Sequence, residues 1–521
     1  MKLESYVGGQ WRAGDGHARA FINPTTGEAL GEVVDGGFDM AEALNFAREK
    51  GTTALSSMSF AERGNLLRGI ADVLTANRDK YGEIARLNSG NTVGDAAIDI
   101  DGGIATLKVY ARYGKTLGDA HGLLEPGQDQ LAKEPVFFAR HIWTTRPGVA
   151  LQINAFNFPS WGLWEKVSTA LLSGVASVAK PASATAWLSH EMVRDVIAAD
   201  ILPVGALSLV CGSGTGLADH LGPMDSLAFT GSADTGLKLR SGKSLLESGA
   251  RVTIEADSVN ATILGPDAAP GTAVFDLAVR EAVKALTVKA GQLCTNIRRI
   301  LVPAQHRAAF EEAVAAKLDQ IVVGDPALET VRMGPLVDLK QRDAALRGIE
   351  ALKSEARVIR GGDIGQAEGA DAQKGAFLLP TLLRCDDPGG ARIVHETEVF
   401  GPCATVMAYE HADDAVRLAA KGGGSLAVSL FSDDVAVQTR MVAGLAPWHG
   451  RLLVIDEMVG KNHTGHSIVM PQCVHGGPGR AGGGEELGGL RGLRFHMQRS
   501  AIQGSPGLFG ALRSDAVEAN L

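Results

Sequence analysis

The part of the chain from residue 149 to residue 255 alternates short apolar runs with helical stretches, and no other feature limits the fold as strongly. Apolar runs of strand length lie at 149–153, 175–180, 207–210, 226–229 and 251–254. Stretches with helical periodicity separate them at 161–172, 190–199 and 217–221. Strands joined by short helices form a parallel sheet that is covered on both faces. The alternation therefore predicts an α/β fold.

Polar residues stand at the ends of these predicted strands, where parallel sheets bind their ligands. These residues are Asn154, Asn157, Lys180, Thr230, Gly231, Ser232 and Glu255. A lone lysine or asparagine at a strand end is most often solvated or caps a helix. Several polar residues on one edge of a sheet predict a ligand site instead.

Two glycine-containing segments are similar to phosphate-binding motifs but depart from them. The run 212–216 is followed by Leu217, where the dinucleotide motif requires glycine. The run 231–236 is followed by Leu237 and Lys238, which do not match the P-loop pattern. Neither run predicts an ordinary Rossmann or kinase nucleotide site. The Thr-Gly-Ser turn at 230–232 can still bind a phosphate through exposed N–H groups at the start of a helix.

A single cysteine, Cys294, lies between a predicted helix at 275–288 and a predicted strand at 299–303. Gly291 allows a close approach of the backbone, which would expose the sulfur in a cleft. Free cysteine is often buried for packing alone. The segment by itself therefore leaves two interpretations open, a packing cysteine and a catalytic nucleophile.

A second αβ series follows the cysteine to about residue 445, and a glycine-rich segment comes after it. The chain of 521 residues is long enough for two or three domains. His463, His466 and His475 could suggest a metal site, but their spacing fits no compact ligand template. We therefore predict no metal.

Two further segments look extended, at 132–147 and at 494–503. They are candidates to pair with each other. The first is either an ordinary hairpin or an arm that pairs with another subunit, because an open apolar edge strand invites aggregation.

Charge and cysteine content exclude several classes of partner. The formal net charge is −9 and the pI is about 5.8, with no long basic block, so nucleic acid and acidic membrane surfaces are not expected as main partners. The start lacks the apolar region of a signal peptide, and no run is long enough to span a membrane. The odd number of scattered cysteines predicts reduced thiols in the cytoplasm.

The polar residues, taken in order, resemble the motifs of the aldehyde dehydrogenase superfamily from Asn23 to Gly488. The matching positions are Asn157, Lys180, Thr230-Gly231-Ser232, Glu255, Gln292-x-Cys294 and Glu398-x-Phe400. The resemblance implies a Rossmann-like cofactor domain (1–130 and 147–257) and an α/β catalytic domain (258–460). It also implies a small β oligomerisation arm (131–146 and 487–521) and a loop (461–486) that returns to the active site.

The resemblance also implies the catalytic roles. Cys294 would attack the aldehyde, Asn157 would stabilise the oxyanion, and Glu255 would activate water to hydrolyse the thioester. Lys166 and Glu486 match two further family positions. Together with Glu165 they form either a proton relay or a structural ion pair, and the sequence leaves both open.

The family's cofactor site falls on a larger set of residues. These are Ile153, Asn154, Lys180, Ser183, Gly214, Phe229, Thr230, Gly231, Ser232, Glu398 and Phe400. Many NAD-preferring members carry glutamate three residues after the lysine, where it binds the ribose hydroxyls and repels a 2′-phosphate. Here the residue is Ser183, so the resemblance predicts NADP, with NAD less favoured.

Some departures from the family pattern indicate a particular branch. The usual Glu-Leu-Gly-Gly is Glu255-Ala256-Asp257-Ser258, and Phe156 replaces the usual tryptophan. The branch resembles the dehydrogenase half of ring-opening enzymes of aromatic catabolism. It implies an aliphatic semialdehyde substrate that carries a CoA thioester, and a homo-oligomer of at least two subunits. The alternatives are a CoA-acylating or general aldehyde dehydrogenase and, more distantly, a non-catalytic protein on the same fold.

Overall fold

A computed structural model describes residues 1–520 and contains a central seven-stranded sheet in the first half of the chain. Its strands, in spatial order, are Arg251–Glu255, Ser226–Thr230, Val149–Ile153, Ala176–Lys180, Leu207–Leu209, Ser5–Val7 and Gln10–Arg12. The first five are parallel and the last two are antiparallel additions at one edge. The αβ alternation thus forms the predicted parallel sheet.

Some helices precede this series of strands along the chain, and others lie between its strands. Those before residue 150 are Met40–Phe46, Thr53–Ser56, Phe60–Ala76, Arg78–Ser89 and Val93–Leu117. Those after it are Trp161–Leu172, Ala186–Ala198, Ala233–Arg240 and Lys243–Ser248. Gly90 ends the helix Arg78–Ser89 with φ 66°, and the Thr92 side chain caps the helix Val93–Leu117.

A second seven-stranded sheet lies in the later half of the chain. Its strands, in order, are Arg357–Arg360, Thr381–Cys385, Cys403–Tyr409, Arg299–Pro303, Ala261–Leu264, Ser425–Phe431 and His449–Ile455. Six are parallel and the first is antiparallel. Its helices are Ala273–Thr287, Arg307–Leu318, Leu339–Leu352, Ile393–Glu396, Ala412–Ala420 and Val435–Leu445. Each sheet has its own buried apolar core.

A third sheet contains the two extended segments. Phe138–Thr145 pairs antiparallel with Met497–Gly504 over the whole length of both strands, so the predicted pairing is confirmed. Gly122–Leu124, Asp129–Gln130 and Ala516–Glu518 complete this sheet. The sheet therefore begins before residue 131, where the predicted arm starts. The helix Pro506–Leu512 precedes its last strand.

Two small sheets and the thiols complete the fold. Lys2–Leu3, Ala29–Val34 and Ala18–Ile22 form one small sheet, and Val474–Gly476 pairs with Glu485–Leu487 in a hairpin. All five cysteines are free thiols. Within residues 1–520, the helices are too short or too polar to cross a membrane.

Candidate active site

Four of the predicted site residues terminate neighbouring parallel strands. Ile153, Lys180, Thr230 and Glu255 are each the last residue of their strand. Lys180 is in register with Ile153, and Thr230 with Glu255. The carboxyl ends of these strands thus present a carboxylate and a hydroxyl on adjacent strands, and a cation two strands further along the sheet.

The loop that carries Cys294 has an unusual backbone. Lys289 and Ala290 adopt positive φ angles of 49° and 50°, and Gly291 follows with 69°. A Cβ atom on Gly291 would lie 2.3 Å from the carbonyl oxygen of Gly401, so only glycine fits there. Arg298 donates to both carbonyl oxygens, at 3.0 Å to Gly291 and 2.8 Å to Gly401.

Asn260 fixes the other side of this loop. Its Nδ2 donates to the carbonyl oxygens of Cys294 at 2.8 Å and of Asn296 at 2.9 Å. Asn260 was not among the predicted site residues. Its position five residues after Glu255, the last residue of a strand, gives a signal only once the fold is known.

A narrow cleft brings the three predicted catalytic residues together. Cys294, Glu255 and Asn157 line it. The Nδ2 atom of Asn157 is buried and has no hydrogen-bond partner within the protein. Phe158, Trp161 and Val469 supply apolar walls. A free amide donor therefore lines the same cleft as a thiol and a carboxylate.

Buried charged groups surround the inner end of this cleft. Glu165 and Lys166 are buried on the helix Trp161–Leu172, and Glu486 lies on the hairpin strand Glu485–Leu487. Lys166 Nζ is 2.8 Å from Glu486 Oε2 and 3.6 Å from Glu165 Oε1. It also donates to Thr230 Oγ1 at 2.9 Å. The three predicted relay residues thus form one connected group.

His475 joins this group to the cysteine and was missed as a catalytic candidate. Its Nε2 is 3.7 Å from Cys294 Sγ and 3.3 Å from Glu255 Oε2, and its Nδ1 is 3.3 Å from Glu165 Oε1. The sequence suggested only a metal cluster with His463 and His466. Those two histidines make separate contacts, with Gly465 and Ser429. His475 pairs with Glu486 across the hairpin, and this pairing places His475 beside the predicted relay residues.

The ionisable groups in the cleft shift one another's pKa values. Burial and the Glu255 carboxylate raise the pKa of Cys294 to about 12, while His475 acts to lower it. Burial alone would lower the pKa of His475, but Glu255 and Glu165 outweigh it and the pKa lies well above its ordinary value. Burial would raise the pKa of Glu165, yet His475 and Lys166 lower it overall. Burial raises the pKa of Glu486.

A larger groove, with a volume of about 550 Å³, adjoins the cleft and is lined by most of the predicted cofactor residues. They are Ile153, Asn154, Lys180, Phe229, Thr230, Gly231, Ser232, Glu398 and Phe400. Both amide atoms of Asn154 and Oε1 of Glu398 are buried without hydrogen-bond partners in the protein. Burial raises the pKa of Glu398 to about 7. Ser232 caps the helix Ala233–Arg240.

The two remaining predicted residues lie at the outer end. Gly214 lines an adjoining cavity together with Ile153 and Lys180, and a Cβ there would lie 3.4 Å from Lys180 Cδ. Ser183 begins the short turn Ser183–Thr185 and is partly exposed. Ala182, next to it, lines the groove.

Comparison with known proteins agrees with this geometry. The aldehyde dehydrogenase family model matches residues 11–500. The chain is 51% identical over 479 residues to the 3,4-dehydroadipyl-CoA semialdehyde dehydrogenase of Aromatoleum evansii, covering 92% of this chain and 93% of that one. The structure is similar to betaine aldehyde dehydrogenase from Staphylococcus aureus in complex with NAD⁺. That similarity has a TM-score of 0.82 at 25% identity and covers 96% and 94% of the two chains. The resemblance inferred from the motifs is confirmed: the chain belongs to the aldehyde dehydrogenase family.

Proposed function

We propose that this enzyme oxidises an aliphatic, CoA-linked semialdehyde to the carboxylic acid with NADP as the hydride acceptor. The observation that carries the proposal is the cleft shared by Cys294, Glu255 and Asn157. A nucleophile, a base and an oxyanion donor are the groups that acyl chemistry through a thioester requires.

The first chemical step depends on Cys294 and Asn157. The Cys294 sulfur would add to the aldehyde carbon, and the C=O π electrons would move to oxygen to form a thiohemiacetal. The unpartnered Nδ2 of Asn157 would donate to that oxyanion. One such donor contributes about 3 kcal/mol to transition-state stabilisation. Bound nicotinamide supplies the hydride acceptor, and the thiohemiacetal becomes a thioester on Cys294.

The second step depends on Glu255. Its carboxylate lines the cleft beside Cys294, so it would take a proton from water as the water attacks the thioester carbon. The competing CoA-acylating reaction releases the thioester to CoA instead. A carboxylate at this position favours hydrolysis, because water is a weaker nucleophile than a thiol and depends on a base when it attacks the thioester.

The inner charged group would carry the proton away from Glu255. His475 lies 3.3 Å from Glu255, and Lys166 connects Glu165 to Glu486 beyond it. Burial raises the pKa of Glu486, which suits it to take up a proton. We propose that Glu165, Lys166 and Glu486 form a proton relay, although the 2.8 Å contact also fits a structural ion pair.

The groove residues fit a nicotinamide dinucleotide. Lys180 offers a cation for the adenosine ribose, and Ser232 stands at the start of a helix whose N–H groups suit a pyrophosphate. Oε1 of Glu398 is buried and 3.7 Å from Arg298 but has no hydrogen-bond partner in the protein, and a ribose hydroxyl would donate a hydrogen bond to it. Phe400 would contact the nicotinamide ribose.

The preference for NADP rests on position 183. Serine there is small and adds no negative charge three residues after Lys180. Asp35, which influences Lys180 electrostatically, is already paired with Arg19 at 2.8 Å. A 2′-phosphate would therefore meet a cation without an opposing free carboxylate.

Ser183→Glu is expected to shift the cofactor preference toward NAD. The new carboxylate would repel the 2′-phosphate and accept hydrogen bonds from the ribose hydroxyls of NAD. We expect the ratio of kcat/KM for NADP to that for NAD to fall by about tenfold or more. Ser183→Gln, of matched size without charge, is the control and should change the ratio much less. An unchanged ratio in Ser183→Glu contradicts the assignment.

The substrate proposal rests on the Aromatoleum evansii relative, whose name specifies a CoA semialdehyde. The apolar walls of the cleft suit an aliphatic chain between the reacting aldehyde and a distant thioester. Reaction in the catabolism of aromatic compounds and a location in the cytoplasm are part of the same proposal.

Initial rates with aldehydes of increasing chain length, with and without a CoA moiety, test the proposed function. We expect the CoA-linked semialdehyde to have the highest kcat/KM and to give the free acid in the absence of added CoA. Formation of an acyl-CoA at the aldehyde carbon, only when CoA is added, would favour the acylating alternative. Equal kcat/KM for simple aldehydes would favour a general aldehyde dehydrogenase.

We also propose that the third sheet joins subunits, at least as a dimer. Its edge strand Met497–Gly504 is eight residues long, and Val136 and Phe137 beside the sheet are 62% and 39% exposed. Long edge strands and exposed apolar side chains of this kind are usually covered by a partner.

A further inference from the structure

One side chain contacts every reacting protein group in the cleft except the amide of Asn157. His475 lies on the strand Val474–Gly476, and only 11% of its side chain is exposed. One ring nitrogen faces both Cys294 and Glu255, and the other faces Glu165. A histidine kept only for packing would not need carboxylates at both ring nitrogens.

The groups that face His475 come from every element around it. Glu255 ends a sheet strand, Glu165 and Lys166 lie on the helix Trp161–Leu172, and Glu486 is its partner across the hairpin. Three carboxylates are therefore balanced by one lysine unless the imidazole is also charged. Arg298 and Arg451 influence Cys294 electrostatically, but within residues 1–520 neither side chain forms a hydrogen bond with Sγ.

The protonation of the imidazole follows from these contacts. A carboxylate accepts hydrogen bonds and, when ionised, donates none. Glu165 lies 3.3 Å from Nδ1 and Glu255 lies 3.3 Å from Nε2, and the charges of the two carboxylates favour the doubly protonated imidazolium without a hydrogen bond at Nδ1 or at the Glu255 oxygens. The pKa of His475 lies well above its ordinary value for the same reason.

We propose that His475 is a catalytic residue that, as an imidazolium, stabilises the thiolate of Cys294 beside the carboxylate of Glu255. In the ionisation that it assists, the S–H bond of Cys294 breaks, the electron pair stays on sulfur and the proton passes to water. Without His475, the thiolate would form next to a carboxylate in a buried cleft with no cation in contact. The role in turnover rests on the proposed function, whereas the effect on the thiol does not.

Alkylation of Cys294 by iodoacetamide measures this effect without any aldehyde or cofactor. The thiolate is the reacting form, so below the thiol pKa the rate rises tenfold for each pH unit. The modified Cys294 peptide is quantified by mass spectrometry at fixed pH values, because the exposed Cys473 also reacts. EDTA is included, since ligand atoms of Glu255, Cys294 and His475 lie within 4.8 Å of one another and could bind a metal ion.

His475→Gln is the informative variant, because it keeps a polar side chain and removes the charge. An opposite charge within this distance shifts a pKa by about 1 to 3 units, so the rate at each pH should fall about tenfold or more. His463→Gln, the same substitution in the same loop, is the control. The His463 ring accepts a hydrogen bond from the Gly465 N–H, away from Cys294, so Cys294 in this variant should be alkylated at the wild-type rate. Thermal unfolding of each variant checks the fold.

Two results would overturn the proposal. One is an alkylation rate in folded His475→Gln within twofold of the wild type. The other applies if that variant does not fold: Glu165→Gln removes the carboxylate that holds the charge on Nδ1 and should also slow alkylation, so an unchanged rate there excludes the role. If His475→Gln slows alkylation as expected but the wild-type enzyme does not oxidise CoA-linked semialdehydes, only the proposed substrate is refuted.

Discussion

Replacing Cys294 with alanine is expected to abolish aldehyde oxidation, with a loss in kcat on the order of 10⁴-fold or more. Without the sulfur no thiohemiacetal forms, and a free carbonyl carbon has no electron pair that can expel hydride. The Asn157 amide would remain, but it would have no covalent adduct to stabilise. Initial rates of NADPH formation at saturating aldehyde measure the loss.

The controls for this variant separate chemistry from folding. Cys473→Ala removes the exposed thiol and should retain wild-type rates. Cofactor binding by Cys294→Ala, followed by fluorescence titration, should remain close to wild type because Lys180, Ser232 and Glu398 are unchanged. Retention of full NADP reduction in Cys294→Ala would show that another group is the nucleophile.

Glu255→Gln is expected to stop the reaction after the first half. The amide cannot take a proton from water, so the thioester on Cys294 should persist. We expect one equivalent of NADPH per active site in a rapid phase, followed by a steady-state rate lowered by about 10² to 10⁴-fold. Stopped-flow absorbance gives the amplitude of the first phase, and intact mass gives the acyl adduct.

The acyl adduct provides the decisive check on Glu255. Hydroxylamine, which attacks thioesters directly, should restore release of the acyl group in the variant. If Glu255→Gln gives neither a rapid phase nor an adduct, then Glu255 acts before hydride transfer and not at hydrolysis. Glu247→Gln, on an exposed part of a short helix, is a matched control that should turn over like the wild type.

Local patterns in the sequence predicted the framework of the site well. The run 149–153 and the helical stretch 161–172 match the observed strand and helix, since periodicity depends on neighbouring residues. The strand ends then locate Lys180 and Glu255, because parallel strands bring their carboxyl ends to one edge. The pairing of residues near 140 and 500 was also predictable from two long extended runs.

Contacts between distant segments could not be predicted in the same way. His475 lies 181 residues from Cys294 along the chain, and only the hairpin register turns it toward the cleft. Asn260 donates hydrogen bonds to backbone carbonyl groups, and every residue has such a group, so the sequence does not indicate which ones Asn260 contacts. The strand Gly122–Leu124 is three residues long, too short for an alternation pattern to reveal it.

The two hydrogen bonds from Arg298 have a consequence for engineering this enzyme. They tie the backbone before the cysteine to the backbone after Phe400, which lines the groove. Grafting one of these loops from another enzyme would disrupt the hydrogen bonds by which Arg298 connects the two loops. Chimeras should therefore exchange the two loops and their common arginine together, as a single cassette.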